Sequence, residues 1–310
     1  MTIKYQGLVA APFTPFGEDG QLNLSIIPAY AKMLRRRGVV AAFICGTTGE
    51  GASLTCEERE AVAEAWMQAR PEGFQVIVHV GHTSRNEACR LASHAESIEV
   101  DAISSMAPFF FKPEDTEALF DWCDAIARSA PSLPFYYYNI PSMTGVAIPA
   151  RELLEFADGR IANLAGVKYT YEDMDDYRAC LAIEDGKYDI LFGRDELLLE
   201  GWQAGAKGAV GSTYNYASPL YVKIIEAVDS DDLQEARRLQ DLSISMIDVC
   251  NSVGVSHLAA SKALMPMLGV DCGPVRSPLK QMTSAQSDEM LKRLEAIGFF
   301  DFAELSLPSV

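Results

Sequence analysis

Ile161-Ala-Asn-Leu-Ala-Gly-Val-Lys-Tyr-Thr170 is a short, mostly apolar run that carries a lysine near its end. Ile161, Leu164, Ala165 and Val167 have the character of a buried parallel strand, and Lys168 falls at its C-terminal end. A core strand does not ordinarily accept an ammonium group. Two readings stand. The stem is buried while the head reaches water, or an apolar pocket strips the proton and leaves an amine that attacks ketones.

Similar runs recur on both sides, separated by amphipathic segments at a spacing of very roughly 20 to 35 residues, which is the pattern of a parallel sheet with crossover helices. Strands are predicted at 7–13, 39–45, 74–80, 101–107, 134–139, 162–168, 188–192 and 208–211. Helices are predicted between and after them at 25–36, 55–69, 84–98, 114–128, 149–156, 172–181, 195–204 and 219–228. Thr55-Cys-Glu-Glu58 fits a capping box, and Ile148-Pro149 puts proline at a helix start. An open doubly wound sheet also alternates. Eight units in roughly 225 residues instead match an α/β (β/α)8 TIM barrel, which takes about 250. From 231 onward only helical periodicity remains, at 232–249, 255–268 and 284–297. The expected organisation is a barrel domain, 1–230, and a C-terminal helical extension, 231–310. Because the extension gathers no polar residues as the strand ends do, it is assigned to packing or assembly.

The 310 residues, 49% hydrophobic and 22% charged, suffice for a large core in one α/β domain or two smaller ones. A net charge of -17 argues against nucleic acid and anionic membrane as partners, since both need a basic footprint. An anionic substrate must therefore be caught by a local site. The 7 cysteines, at 45, 56, 89, 123, 180, 250 and 272, form no C-x-x-C pair and read as thiols in a reducing compartment. Met1-Thr-Ile-Lys-Tyr-Gln6 lacks the apolar stretch of a signal peptide, and no run approaches the roughly 18 apolar residues of a membrane span. A cytoplasmic protein acting on a small molecule is expected.

In a barrel of this kind the chemistry lies at the C-terminal strand ends. After the second strand, Gly46-Thr-Thr-Gly-Glu-Gly51 joins two hydroxyls to exposed N–H groups before a helix, a nest for a carboxylate or simply a turn with a threonine cap. It matches neither a dinucleotide fingerprint nor a P-loop. After the fifth, alternation in Phe135-Tyr-Tyr-Tyr-Asn139 sets Tyr136 and Tyr138 on one face and Tyr137 on the other. One phenol can face Lys168, as a proton shuttle or as a structural group. After the seventh, Phe192-Gly-Arg-Asp-Glu196 offers two carboxylates for sugar hydroxyls or for capping the next helix. Gly211-Ser-Thr-Tyr-Asn215 adds hydroxyls after the eighth. His79 and His82 are separated by strand alternation and lack an obvious third ligand, which argues against a metal-dependent aldolase.

Gly46-Thr-Thr-Gly-Glu-Gly51, Tyr138-Asn-Ile-Pro141, Gly166-Val-Lys168 and Gly211-Ser-Thr-Tyr-Asn215, in this order and spacing, resemble the dihydrodipicolinate synthase and N-acetylneuraminate lyase superfamily of class I aldolases. The resemblance runs nearly end to end. Gly193-Arg-Asp-Glu196 with the last motif is most similar to the lyase branch. The resemblance implies a (β/α)8 barrel with a helical extension, no cofactor and no metal, commonly a homotetramer. It implies cleavage of the sialic acid N-acetylneuraminate to pyruvate and N-acetylmannosamine. Lys168 would form the Schiff base and Tyr138 would move the proton. Thr47 and Thr48 would hold the carboxylate, and Thr170, Gly193, Asp195, Glu196 and Ser212 would contact the hydroxylated tail.

Two positions depart from the superfamily pattern. Met143 stands where dihydrodipicolinate synthases usually place an arginine, which argues against that activity. Phe109, Phe110 and Phe111 occupy the run after the fourth strand where many members donate a tyrosine across a subunit interface. The proton relay from Tyr138 must then pass through Thr47, water or the substrate carboxylate. Two other readings remain: a related pyruvate aldolase or dehydratase acting on another sugar acid, and a non-catalytic barrel that senses one.

Overall fold

The computed structural model describes residues 4–304. Strands β1 (Gly7–Ala10), β2 (Val39–Ile44), β3 (Gln75–His79), β4 (Ala102–Met106), β5 (Phe135–Asn139), β6 (Leu164–Tyr169), β7 (Asp189–Phe192) and β8 (Gly208–Gly211) lie parallel in chain order, and β1 pairs with β8 to close the barrel. The intervening helices are α1 (Ile27–Arg36), α2 (Cys56–Ala69), α3 (Arg85–Ser97), α4 (Thr116–Ala127), α5 (Ala150–Ala157), α6 (Met174–Ala182), α7 (Leu198–Gln203) and α8 (Tyr214–Asp229). This is the (β/α)8 architecture expected from the alternation.

Strand alternation divides the apolar residues into two cores. Val9, Ala41, Ile77, Ala102, Leu191 and Val210 fill the barrel with Tyr136 and Tyr138. Tyr137, Val167 and Tyr169 point the other way and pack beneath the helices. At the N-terminal end of the strands, Tyr136 Oη and the Tyr5 backbone N–H both donate to Asp189 Oδ2, at 2.9 and 3.0 Å. Burial pushes the Asp189 carboxyl up to about 6. This plug leaves the opposite end for chemistry.

Local signals set several boundaries. Thr55 and Glu58 make the reciprocal capping box at the start of α2. β1 ends sooner than expected, because Pro12 has no N–H to donate to the ladder. The eighth helix starts at Tyr214 rather than at Pro219, and non-helical Ala217 (φ -127°) breaks its first turn ahead of the proline.

Beyond the barrel come α9 (Leu233–Asn251), α10 (His257–Lys262) and α11 (Ser284–Ala296). The helix expected over 255–268 is split. Pro266 cannot donate to the carbonyl four residues earlier, and a separate 3-10 turn forms at Met265–Leu268. The buried Gln240 of α9 ties this region to the barrel, donating to the Asp195 carbonyl at 3.1 Å and accepting from Leu199 N–H at 2.9 Å.

Candidate active site

Lys168 is the fifth residue of β6 and its Cα partner on β5 is Tyr138, so the two side chains rise together inside the barrel. Lys168 is 4% exposed, which removes the reading in which its head reaches water. Its Nζ lies 4.0 Å from the Phe43 ring centroid and 4.1 Å from that of Tyr138. Burial pulls the amine down to about 7, against a smaller opposing pull from Asp195. At neutral pH a large fraction of this lysine is therefore an uncharged nucleophile.

Burial pushes the Tyr138 phenol up to about 12, with Thr47 and Thr170 offsetting part of the rise. Its hydroxyl shares a hydrogen bond with Thr47 Oγ1 at 3.3 Å. The Thr47–Thr48 turn thus meets the Tyr138 phenol directly. The His79 ring stands edge-on to Tyr138, with centroids 5.7 Å apart. Its Nδ1 donates to the Cys45 carbonyl at 3.1 Å, while His82 Nδ1 accepts from Ser84 N–H at 2.9 Å. No group of three or more His, Cys, Asp or Glu side chains suited to a metal ion occurs among the described residues.

Asp195 is 6% exposed and does not cap the helical turn that follows it. Its Oδ2 accepts from the Thr213 N–H at 3.0 Å and the Thr213 hydroxyl at 2.6 Å, while Oδ1 has no protein partner. Burial pushes this carboxyl up to about 6. Gly211 makes room for it, since a Cβ there would sit 2.0 Å from Asp195 Oδ1. Gly193 is needed for a similar reason: a Cβ would fall 2.1 Å from Thr170 Oγ1. Glu196 pairs with Arg194 at 2.9 Å.

These groups surround one cavity of about 260 Å³ at the C-terminal mouth of the barrel. All nine sequence-predicted residues line it: Lys168 and Tyr138 with Thr47 and Thr48 on one side, and Thr170, Gly193, Asp195, Glu196 and Ser212 on the other. Not every motif residue reaches it. Asn215 is buried as a pin, donating to the Ala11 carbonyl at 2.7 Å and accepting from Tyr30 Oη at 2.7 Å. Met143 is 61% exposed and lies outside the cavity, so no arginine-like cation enters from that turn.

Sequence reasoning missed part of the wall. Ile247, Asn251 and His257 line the cavity, which corrects the assignment of the extension to packing or assembly alone. Nothing local to these residues signals that position, because it depends on how α9 and α10 cross the mouth. Phe43 was also missed, although alternation from Ala41 along β2 would have pointed it inward.

The dihydrodipicolinate synthetase family model matches residues 4–297. A curated N-acetylneuraminate lyase of Mus musculus is 40% identical over 311 residues, 99% of this chain and 95% of that protein. The solved N-acetylneuraminate lyase of Proteus mirabilis is 41% identical with a TM-score of 0.92, covering 96% of this chain and 100% of that one. A Ruminococcus gnavus sialic acid aldolase, solved as a catalytic lysine mutant, is 28% identical with a TM-score of 0.90, covering 97% of each chain. With the matched model spanning nearly its whole length, the chain belongs to the dihydrodipicolinate synthetase family.

Proposed function

We propose that this protein is a class I aldolase that cleaves N-acetylneuraminate to pyruvate and N-acetylmannosamine through a Schiff base on Lys168. The observation that carries the reading is the buried Lys168 amine, held near neutrality beside the Tyr138 phenol and facing the Thr47 turn. The names of the full-length relatives support the same chemistry.

In this mechanism Lys168 Nζ adds to the C2 carbonyl carbon and water leaves, giving an iminium. Thr47 and Thr48 take the adjacent carboxylate. The iminium charge beside the Tyr138 ring favours its phenolate. Tyr138 accepts the C4 hydroxyl proton, passing its own to the carboxylate or through Thr47, while the C3–C4 electron pair flows into the iminium. The aldehyde N-acetylmannosamine departs. Protonation of the enamine at C3 and hydrolysis release pyruvate and the free amine. Asp195 Oδ1, without a protein partner, together with Glu196, Thr170, Ser212 and the Gly193 backbone, accommodates the hydroxylated tail.

Borohydride added with pyruvate should leave a pyruvate-derived mass on the peptide that contains Lys168, and an unmodified peptide would reject the covalent route. Asp195→Ala should weaken binding of the sugar acid while leaving pyruvate capture intact. Pyruvate release across a panel of nonulosonic and hexulosonic acids identifies the preferred substrate.

The same proposal includes a homotetramer in the cytoplasm. Phe109, Phe110 and Phe111 after β4 are 36%, 74% and 85% exposed, an apolar patch suited to self-association. No helix among the described residues is long and apolar enough to cross a membrane. The cysteines are unpaired, and all but Cys89 are buried. Light scattering on the purified chain that gives a monomer mass at every concentration would remove the tetramer.

A further inference from the structure

Glu50 belongs to the Gly46–Gly51 turn but does not line the cavity. Its backbone lies in the left-handed region (φ 54°, ψ 31°), which residues with a side chain avoid unless their surroundings enforce it. The enforcement is visible at its carboxylate. Oε1 accepts from Lys262 Nζ at 2.9 Å, and Oε2 accepts from the Arg276 backbone N–H at 2.8 Å. The side chains of Glu50 and Lys262 are each 1% exposed.

Lys262 reaches this place from the end of α10. Its Nζ also donates to the Thr14 carbonyl at 2.8 Å, and the Thr14 hydroxyl donates to the Gly49 carbonyl at 2.6 Å. One buried ammonium therefore clamps the loop after β1 to the turn after β2. Arg276, whose backbone closes the other side, is itself fixed by Glu58 Oε2 at 2.7 Å.

Withdrawing two opposite charges from water is costly, and well-packed apolar side chains usually stabilise such a position as well or better. The arrangement makes more sense for what it holds. Glu50 N–H donates to the Thr47 carbonyl at 3.1 Å, and Thr47 Oγ1 touches Tyr138 Oη. Displacing Glu50 therefore displaces the hydroxyl that meets the phenol. We propose that Glu50 and Lys262 are positioning residues, through which the helical extension sets the shape of the Thr47–Thr48 turn that receives the substrate carboxylate. This inference rests on the pyruvate-lyase reading of the cavity.

The test compares two methyl ketones, pyruvate and acetone, in borohydride trapping on the full chain. Only pyruvate has a carboxylate for the turn to hold. In Lys262→Met and in Glu50→Gln, half-maximal trapping should need at least about tenfold more pyruvate. Acetone trapping on the same lysine should stay within about twofold, and Lys262→Arg, which keeps the charge, should recover part of the pyruvate affinity. An unchanged pyruvate requirement overturns the proposal, and so does equal loss with both ketones, which would mark the pair as structural only. Should Lys262→Met not fold, Glu50→Gln and Lys262→Arg decide by the same ratio. Failure of the unsubstituted chain to trap pyruvate would overturn the aldolase reading and this inference together. Normal trapping there with a flat ratio in the variants overturns this inference alone.

Discussion

An amine at position 168 works against the fold that holds it. The drop from 10.5 to about 7 means that the unfolded chain binds a proton the folded chain releases between those pH values. Stability consequently rises with pH across that window, and at neutral pH the buried lysine opposes folding. Every tenfold weakening of proton binding on folding corresponds to about 1.4 kcal/mol. Lys168→Met keeps the volume and removes the amine. It should abolish turnover yet raise the melting temperature at pH 7, by about 2–4 °C per kcal/mol relieved. The gap between variant and parent should narrow as pH rises toward 10. A variant melting lower than the parent at neutral pH would show that the amine is not the burden described. The same depressed proton affinity governs chemistry: the initial rate of pyruvate capture should rise with pH to a midpoint near 7 rather than near 10, followed by mass spectrometry of the trapped peptide. An isolated lysine in the sequence could be read either way. Its apolar flank suggested burial, but the rings of Phe43 and Tyr138 that enclose it come from other strands.

The ends of the strands divide the labour of the site. β5 and β6 deliver the phenol and the amine, while the loops after β7 and β8 deliver Asp195 and its tether Thr213. Gly211 at the end of β8 decides whether that carboxylate fits. In Gly211→Ala the new methyl would lie 2.0 Å from Asp195 Oδ1, so the carboxylate must move. Sugar-acid turnover should fall roughly 100-fold, the scale expected when a substrate-positioning group shifts by an ångström. Pyruvate capture at Lys168 should persist, and coupled kinetics with trapping separate the two. Normal turnover in this variant would remove Asp195 from the site. Sequence placed these groups at the right strand ends, because alternation and turn composition are local properties. It left open whether Asp195 capped the next helix, a question settled by the approach of Thr213 from the neighbouring loop.

At the level of the whole molecule, the barrel has a closed polar plug at one end and a mouth partly walled by its own extension at the other. The plug carries its own pH signature. Asp189, raised to about 6 from 3.8, holds a proton in the folded state that the unfolded chain releases, so its contribution to stability is lost as pH rises from about 4 to about 6. Asp189→Asn retains an oxygen acceptor for Tyr5 and Tyr136. Its advantage in melting temperature over the parent should therefore grow across that interval, as calorimetry would show, and a constant difference would contradict the buried-carboxylate account. The mouth teaches the complementary lesson. From sequence came the eight-fold alternation, the parallel barrel and, with the family resemblance its motifs carry, nine of the residues that line the cavity. Hydrophobic period, capping and glycine placement act over a few residues and so are written in order along the chain. Tertiary structure alone decided that Asn251 and His257 wall the cavity, that Asn215 is a buried pin and that Lys262 grips Glu50. The last of these contacts joins residues more than 200 positions apart. Its existence depends on how the extension docks across the barrel, and no local pattern of residues encodes that packing.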